Sequence, residues 1–165
     1  MKKFLPIVCF CFFSLSVFAQ TCNKSIPLST PDARFDIQNE VVIDKMTGLM
    51  WKRCSEGQRW EQNACKGKAN TFTFEIAQKI ASRDAGYSDW RIPTISELDT
   101  IVELACYQPA INKKTFPNTP NEWFWSSSPL AYLSGYAWPM HFEFGIDYTS
   151  LQTGEYRVRL VRAGQ

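Results

Sequence analysis

The sequence predicts an α+β domain, disulfide-stabilised, with two helices, short antiparallel strands and long loops. Three observations predict it. Strand-like segments come first, then two helical segments, then long Pro- and Asn-rich loops and more strands, without the regular β-α alternation of a parallel sheet. Four cysteines remain once an N-terminal leader is set aside, an even number in a chain bound for an oxidising compartment. No internal repeat, low-complexity segment or linker divides the chain.

The leader is "MKKFLPIVCFCFFSLSVFAQ": two lysines, an apolar run from Phe4 to Phe18, and small residues before the cut. It reads as a secretory signal peptide over residues 1–19, cleaved after Ala19, which leaves a single domain over 20–165. A lipid anchor on Cys22 would need a branched and a small residue where Ala19-Gln20-Thr21 stand. No later stretch is long enough to cross a bilayer, so the mature chain is expected to carry no integral membrane segment. Lys2 and Lys3 leave with the leader, and sixteen basic residues then face sixteen acidic ones. A formally neutral chain has no bulk basic surface for phosphates, which argues against nucleic acid as a partner. The remaining residues, about 146 and including all six tryptophans, suit one domain that buries roughly two thirds of its unfolded surface.

Cys22, Cys54, Cys65 and Cys106 allow three pairings. Cys54–Cys65 is favoured because it closes the local loop "CSEGQRWEQNAC", leaving Cys22 to tie the N-terminus to Cys106. Loop entropy assigns the two bonds roughly 3 and roughly 4.5 kcal/mol. Zinc is the competing use, but no C-x2-C spacing exists and His141 is the only histidine.

Taken in order, Val41–Ile43 and Leu49–Arg53 read as strands joined by a turn over Asp44–Gly48, with Gly48 supplying a positive φ. Phe74 to about Asp84 reads as a helix with Thr73 as N-cap, Phe74, Ala77 and Ala81 on one face, and Gly86 as its end. The second helix follows Pro93: Thr94 and Glu97 form a capping box, Leu98, Ile101, Val102 and Ala105 make an apolar stripe, and Cys106 lies at its C-terminal end. Tyr107 to Glu122 is loop. "FWSSS", "AWPMHFEF" and "YRVRLVR" are the closing strands.

Five motifs, "VVIDKMTGLMWKRCSEGQ", "GYSDWRIPTISELDTIVE", "FPNTPNEWFWSSSP", "YAW" and "YRVRLVRAGQ", occur in this order across nearly the whole mature chain. Together they resemble the C-terminal domain family of the Legionella collagen-like adhesin. The resemblance implies a C-type-lectin-like fold, related to that of the formylglycine-generating enzyme, in extracellular or surface-displayed binding proteins. Some relatives are variable proteins of diversity-generating retroelements, whose residues near the C-terminus are diversified. The adhesin implies sulfated polysaccharide as one ligand class, but its collagen-like repeats are missing here, so a trimeric stalk does not carry over. The Glu-Pro-Asn type of calcium triplet is replaced by Gln108-Pro109-Ala110, which lacks the carboxylate a hard cation requires. No cofactor is expected, and metal-independent binding follows. The reactive or copper-binding cysteines of enzymes with the wider fold are not carried over to cysteines read as disulfides.

Catalytic alternatives are weaker still. Ser126, Ser127 or Ser128 with His141 as base would lack a Gly-x-Ser-x-Gly elbow and an acid partner. Glu143, Asp147 and Glu155 could supply a carboxylate pair, but surface acids are common in any secreted domain. Asp89 and Arg91 flank Trp90 and are expected to form an internal ion pair or loop hydrogen bonds around a buried indole.

The stretch "YAWPMHFEFG", residues 136–145, alternates as a strand does. Trp138, Met140 and Phe142 are placed in the core, and Pro139, His141 and Glu143 on the opposite, ligand-facing side, where variable relatives place diversified residues. Tyr132, Ser134, Tyr136, Asp147, Tyr148, Thr149 and Gln152 extend that surface through the neighbouring loops, tyrosine being suited to contact by its rigid amphipathic area. The expected function is an exported, non-enzymatic, adhesin- or lectin-like domain on the bacterial cell surface, in the periplasm or outside the cell, that recognises a glycan or a protein. The alternative is an accessory or structural subunit of an envelope or pilus-like assembly.

Overall fold

The computed structural model describes residues 19–80 and 85–164. Residues 1–18 of the leader predicted over 1–19, the Ala81–Asp84 end of the first predicted helix, and Gln165 lie outside the described residues. The elements, in chain order, are β1 (Thr21–Cys22), a 3-10 turn (Asp32–Arg34), β2 (Phe35–Gln38), β3 (Val41–Asp44), β4 (Leu49–Lys52), β5 (Arg59–Glu61), β6 (Ala64–Lys66), α1 (Phe74–Gln78), α2 (Ile95–Thr100), β7 (Cys106–Tyr107), β8 (Trp123–Pro129), β9 (Tyr136–His141), β10 (Ile146–Asp147), β11 (Ser150–Leu151) and β12 (Val161–Ala163). The described residues fit the α+β class, with small antiparallel sheets, two short helices and long loops.

One sheet runs β12–β4–β3–β2, so the last strand closes on the β3–β4 hairpin near the start of the domain. That hairpin turns because the Asp44 carboxylate accepts from Met46 N at 3.0 Å and Thr47 Oγ1 at 2.8 Å, and Gly48 sits at φ 71°. The second sheet pairs β8 with β9, and β10 and β11 both line the other side of β9. Core residues form two clusters. Trp51, Leu98, Ile101, Phe116, Phe124, Met140 and Phe142 belong to the first, and Met50, Trp90, Trp125, Ala137, Val158 and Leu160 to the second.

Both disulfides form with the favoured pairing, Cys22–Cys106 and Cys54–Cys65. The capping box is also present, Glu97 N donating to Thr94 Oγ1 at 3.2 Å and Thr94 N to Glu97 Oε2 at 2.7 Å. Other elements are shorter than their patterns suggest. α1 stops at Gln78, and Thr73 occupies its N-cap without a side-chain bond. α2 stops at Thr100; Ile101, Val102 and Ala105 are buried as expected but lie beyond the helix, and Cys106 belongs to β7. Asp89 and Arg91 do not pair with each other. Asp89 takes Arg162 at 2.7 Å and Arg91 takes Glu97 at 2.6 Å, on either side of the buried Trp90 indole.

"YRVRLVR" is a strand only at its end. Its first half passes between the sheets, bridging Phe72 through Tyr156 and Phe124 through Arg157. Everything from Arg157 to Arg162 is buried. Its apolar residues enter the two cores, while Arg157 and Arg159 reach backbone carbonyls of Ala69, Lys52 and Arg53 and Arg162 pairs with Asp89. Arg159 is the extreme case. Its guanidinium is fully buried over the Phe116 ring (4.8 Å), donates to the carbonyls of Lys52 (2.9 Å) and Arg53 and to Thr119 Oγ1 (2.8 Å), and bonds no carboxylate. Burial, reinforced by the neighbouring Arg53 charge, pushes its pKa down to about 9. Arg53 extends the same device, donating to the carbonyls of Thr115, Lys114 and Asn39 at 2.7–2.8 Å with Trp60 beneath it at 4.1 Å. These two side chains hold the 107–122 loop.

The N-terminal segment is held by a carboxylate instead. Glu103 is buried and accepts from Ser29 N (3.1 Å), Thr30 N (2.8 Å), Thr30 Oγ1 (2.7 Å) and Ala105 N (3.0 Å). Burial alone would raise its pKa, but these donors together hold it below the usual glutamate value, and Arg34, Thr47 and Met46 N do the same against burial for Asp44. A depressed folded-state pKa contributes stability that is present above the unfolded value and lost as pH falls through the folded one. The stability of the domain should therefore be level near neutral pH and fall on acidification below about pH 4.5. Urea melts across pH check this: Glu103→Gln should be less stable at neutral pH and show a shallower acid decline, whereas parallel profiles would remove Glu103 from the account.

Candidate ligand-binding face of the C-terminal sheet

Register assigns the two faces of the β8–β9 ladder. Trp123 lies opposite His141, Phe124 opposite Met140, and Trp125 opposite Pro139, and such partners share a face. The face of Phe124 and Met140 enters the first core, with Phe142 beyond the strand end. The opposite face is buried at one end, where Trp125 and Ala137 belong to the second core. Toward its other end the cover runs out. Ring contacts then step from core to solvent: Phe74 to Trp125 (5.4 Å), Trp125 to Tyr156 (4.5 Å), Tyr156 to Trp123 (6.1 Å), Trp123 to His141 (4.5 Å, edge-on) and His141 to Phe144 (5.8 Å, stacked). Trp125 is fully buried, Trp123 and His141 are half-buried, and Phe144 is 54% exposed. Ile146, the β10 partner of His141, is 52% exposed beside it. The result is an aromatic ledge whose inner rings are clamped by the core.

The turn that carries Phe144 is fixed by Gly145. Its N–H returns to His141 O at 2.8 Å with φ at 69°, and an added Cβ would lie 2.5 Å from Val102 Cγ1. Carboxylates flank the ledge: Glu122 is paired with Arg157 (2.6 Å), and Glu143 accepts from Gln108 Nε2 (3.0 Å). Burial lowers the His141 pKa, against the opposing pull of Glu143 and Glu122. Its Nδ1 accepts from Glu143 N at 3.3 Å, so the neutral ring carries its proton on Nε2. Residues 40–162, from β3 to β12, match the family described as the Lcl C-terminal domain. The chain belongs to this family.

Membership in the Lcl C-terminal domain family agrees with the five motifs and marks the chain as an adhesin-related domain. Among curated proteins no match is found. The matched region contains the Cys54–Cys65 bond, while Cys22 lies outside it and is joined to it through Cys106.

The predicted ligand residues of this Lcl-type domain do not form one face. His141 lies on the ledge, with Glu143 at its margin. Tyr136 pairs with Leu151 and Asp147 with Met140, on the other side of the ladder. Tyr132, Ser134, Asp147 and Tyr148 are exposed, Thr149 is half-buried, and Gln152 donates its amide to Tyr136 O at 3.0 Å. Two placements are corrected. Pro139 is buried rather than exposed, because the face it shares with Trp125 is covered at that point; Trp138, expected in the core, is half-buried beyond the reach of the first cluster. The serine-histidine arrangement does not form. Ser126 Oγ donates to Trp138 O, and Ser128 Oγ accepts from Ile95 N at 3.1 Å. Nor do the acids converge: Glu143 takes Gln108 and Glu155 takes Thr71 (3.3 Å).

Sequence reasoning missed Trp123, Phe144, Ile146 and Tyr156. The signal for Trp123 was present in "EWFWSSS", where two tryptophans at i and i+2 must share a face with only one of them in the densest packing. Phe144 was hidden because "HFEFG" continues the strand alternation, yet the chain turns there.

Proposed function

We propose that the chain is an exported adhesin-type binding module with a C-type-lectin-like arrangement, and that its ledge of Trp123, His141 and Phe144, with Ile146 beside it, rests against an extracellular glycan. The observation that carries this is the graded exposure of one continuous ring series. Rings packed behind Phe144 and His141 restrict their rotamers, so little side-chain freedom is lost when an apolar sugar face stacks on them. The flanking Glu122 and Glu143 supply hydroxyl acceptors at the margin and disfavour a sulfated chain at this face. The role is binding without catalysis, the disulfides suiting an oxidising compartment.

A second reading has its own support. Tyr132, Leu133, Tyr148 and Leu151 are large, exposed apolar side chains along the 130–135 loop and the β10–β11 edge, a strip suited to docking a fixed protein partner in an envelope assembly. A glycan array probed with the mature protein, run beside a pull-down from envelope extracts, separates the two. Graded glycan binding supports the adhesin role. One stoichiometric protein partner with no glycan signal would replace it with the assembly role.

A further inference from the structure

Beside the ledge lies a second feature of different chemistry. A concavity of about 450 Å³ is lined by Gln58, Gln108, Lys113, Asn118, Thr119 and Asn121, together with Gly67 and Pro109. It adjoins the ledge through Gln108, whose amide holds Glu143, and through Asn121, two residues before Trp123. Four carboxamides, a threonine and the Lys113 side chain line one space, with no carboxylate among them. Carboxamides offer donor and acceptor on the same side chain, which is the complement of a sugar hydroxyl pair, and a lining without carboxylates is a poor cradle for a hard cation.

The groups that shape the concavity are fixed, and those that could meet a ligand are unused. Gln58 is held by accepting from Ser55 N (3.1 Å) and donating to Asn118 O (3.2 Å). Thr119 is locked between Arg159 and Phe116 O. By contrast, the Asn118 and Asn121 side chains make no hydrogen bond among the described residues, and Asn121 Oδ1 is buried without a donor there. An acceptor left in that state is unfavourable by about 1–3 kcal/mol. An anion could not relieve it, having no proton to give; a hydroxyl could, once the carboxamide turns toward the opening.

We propose that this concavity is a subsite for an uncharged, polyhydroxylated ligand, a neutral sugar residue, bound through carboxamides without a metal ion. The proposal rests on the reading of the domain as glycan-binding and names where the polar half of that recognition lies. Its test follows the side-chain amide signals of Asn118, Asn121 and Gln108 and the Trp123 indole signal by NMR in the mature chain, with EDTA present. The probes are methyl glycosides of glucose, galactose, mannose and N-acetylglucosamine, with sodium sulfate as the anionic arm.

At least one neutral glycoside should move the Asn118 and Asn121 signals. Asn121→Ala, and Asn118→Gly, which tolerates the positive φ at that position, should each weaken its binding about tenfold or more, equivalent to about 1.4 kcal/mol. Response to sulfate alone would make this an anion site and overturn the proposal. So would glycosides that move the Trp123 indole while the carboxamides stay still, a result that leaves the ledge intact. Carboxamide shifts without any Trp123 response would instead uphold the subsite and reject the ledge.

Discussion

Arg159→Ala should destabilise the domain by about 3–5 kcal/mol, lowering its melting temperature by roughly 10 °C or more. The substitution removes the donors to Lys52 O, Arg53 O and Thr119 Oγ1 and the plane that covers Phe116. It leaves buried carbonyls unpaired and a void between the first core and the 107–122 loop. Arg159→Lys should fail almost as badly, since an ammonium cannot span two carbonyls and a hydroxyl with one planar fork. Arg159→Met should recover part of the loss, because it fills the volume and removes a charge that burial disfavours, as the lowered pKa shows. Thermal melts of the three variants check the order. Melting within a degree or two of the parent for Arg159→Ala would mean that the loop is ordered by something else.

The second large effect concerns β9 and the turn after it. Phe142→Ala should be destabilising by about 3–5 kcal/mol, because the ring is fully buried against Phe124 at 5.0 Å. Trp138→Ala should be milder, its indole being half-buried outside both clusters. Strict alternation predicts equal losses at the two positions. Denaturant melts of both variants decide the matter: equal losses would place Trp138 in the core, and a reversed order would shift the register of β9 against β8 by one residue.

Legibility followed locality. The capping box of α2, the Asp44–Gly48 turn and the Cys54–Cys65 loop are set by residues within about a dozen positions of one another, and each was readable in the sequence. The same holds for the buried Leu98 and Ile101. What stayed hidden depends on distant partners. A six-residue helix cannot be told from a ten-residue one when the stripe Leu98, Ile101, Val102 and Ala105 is kept in the core by a turn rather than a helix. Asp89 and Arg91, neighbours in sequence, point to Arg162 and Glu97 because the indole between them is buried. Alternation in "YAWPMHFEFG" assigns faces correctly to Met140 and Phe142, but it assumes that one face of β9 meets solvent throughout. Instead the face of Ala137 and Pro139 is covered and opens only toward His141, while Tyr136 and Trp138 on the opposite face are half-buried. The exposed ledge therefore lies partly within the predicted segment, while Tyr136 and Asp147 lie on the other side of the ladder.

The central claim, that ligand rests on the Trp123–His141–Phe144 ledge, is tested most directly by the affinity of Phe144→Ala for whichever glycan the array identifies, titrated beside Met46→Ala on the exposed β3–β4 turn. Both side chains are exposed, so both variants should fold and melt like the parent, within about half a kcal/mol. The ledge predicts roughly tenfold weaker binding for Phe144→Ala, the loss of about 1.4 kcal/mol of stacking, and no change for Met46→Ala. Unchanged affinity in Phe144→Ala, with the fold intact, would contradict it.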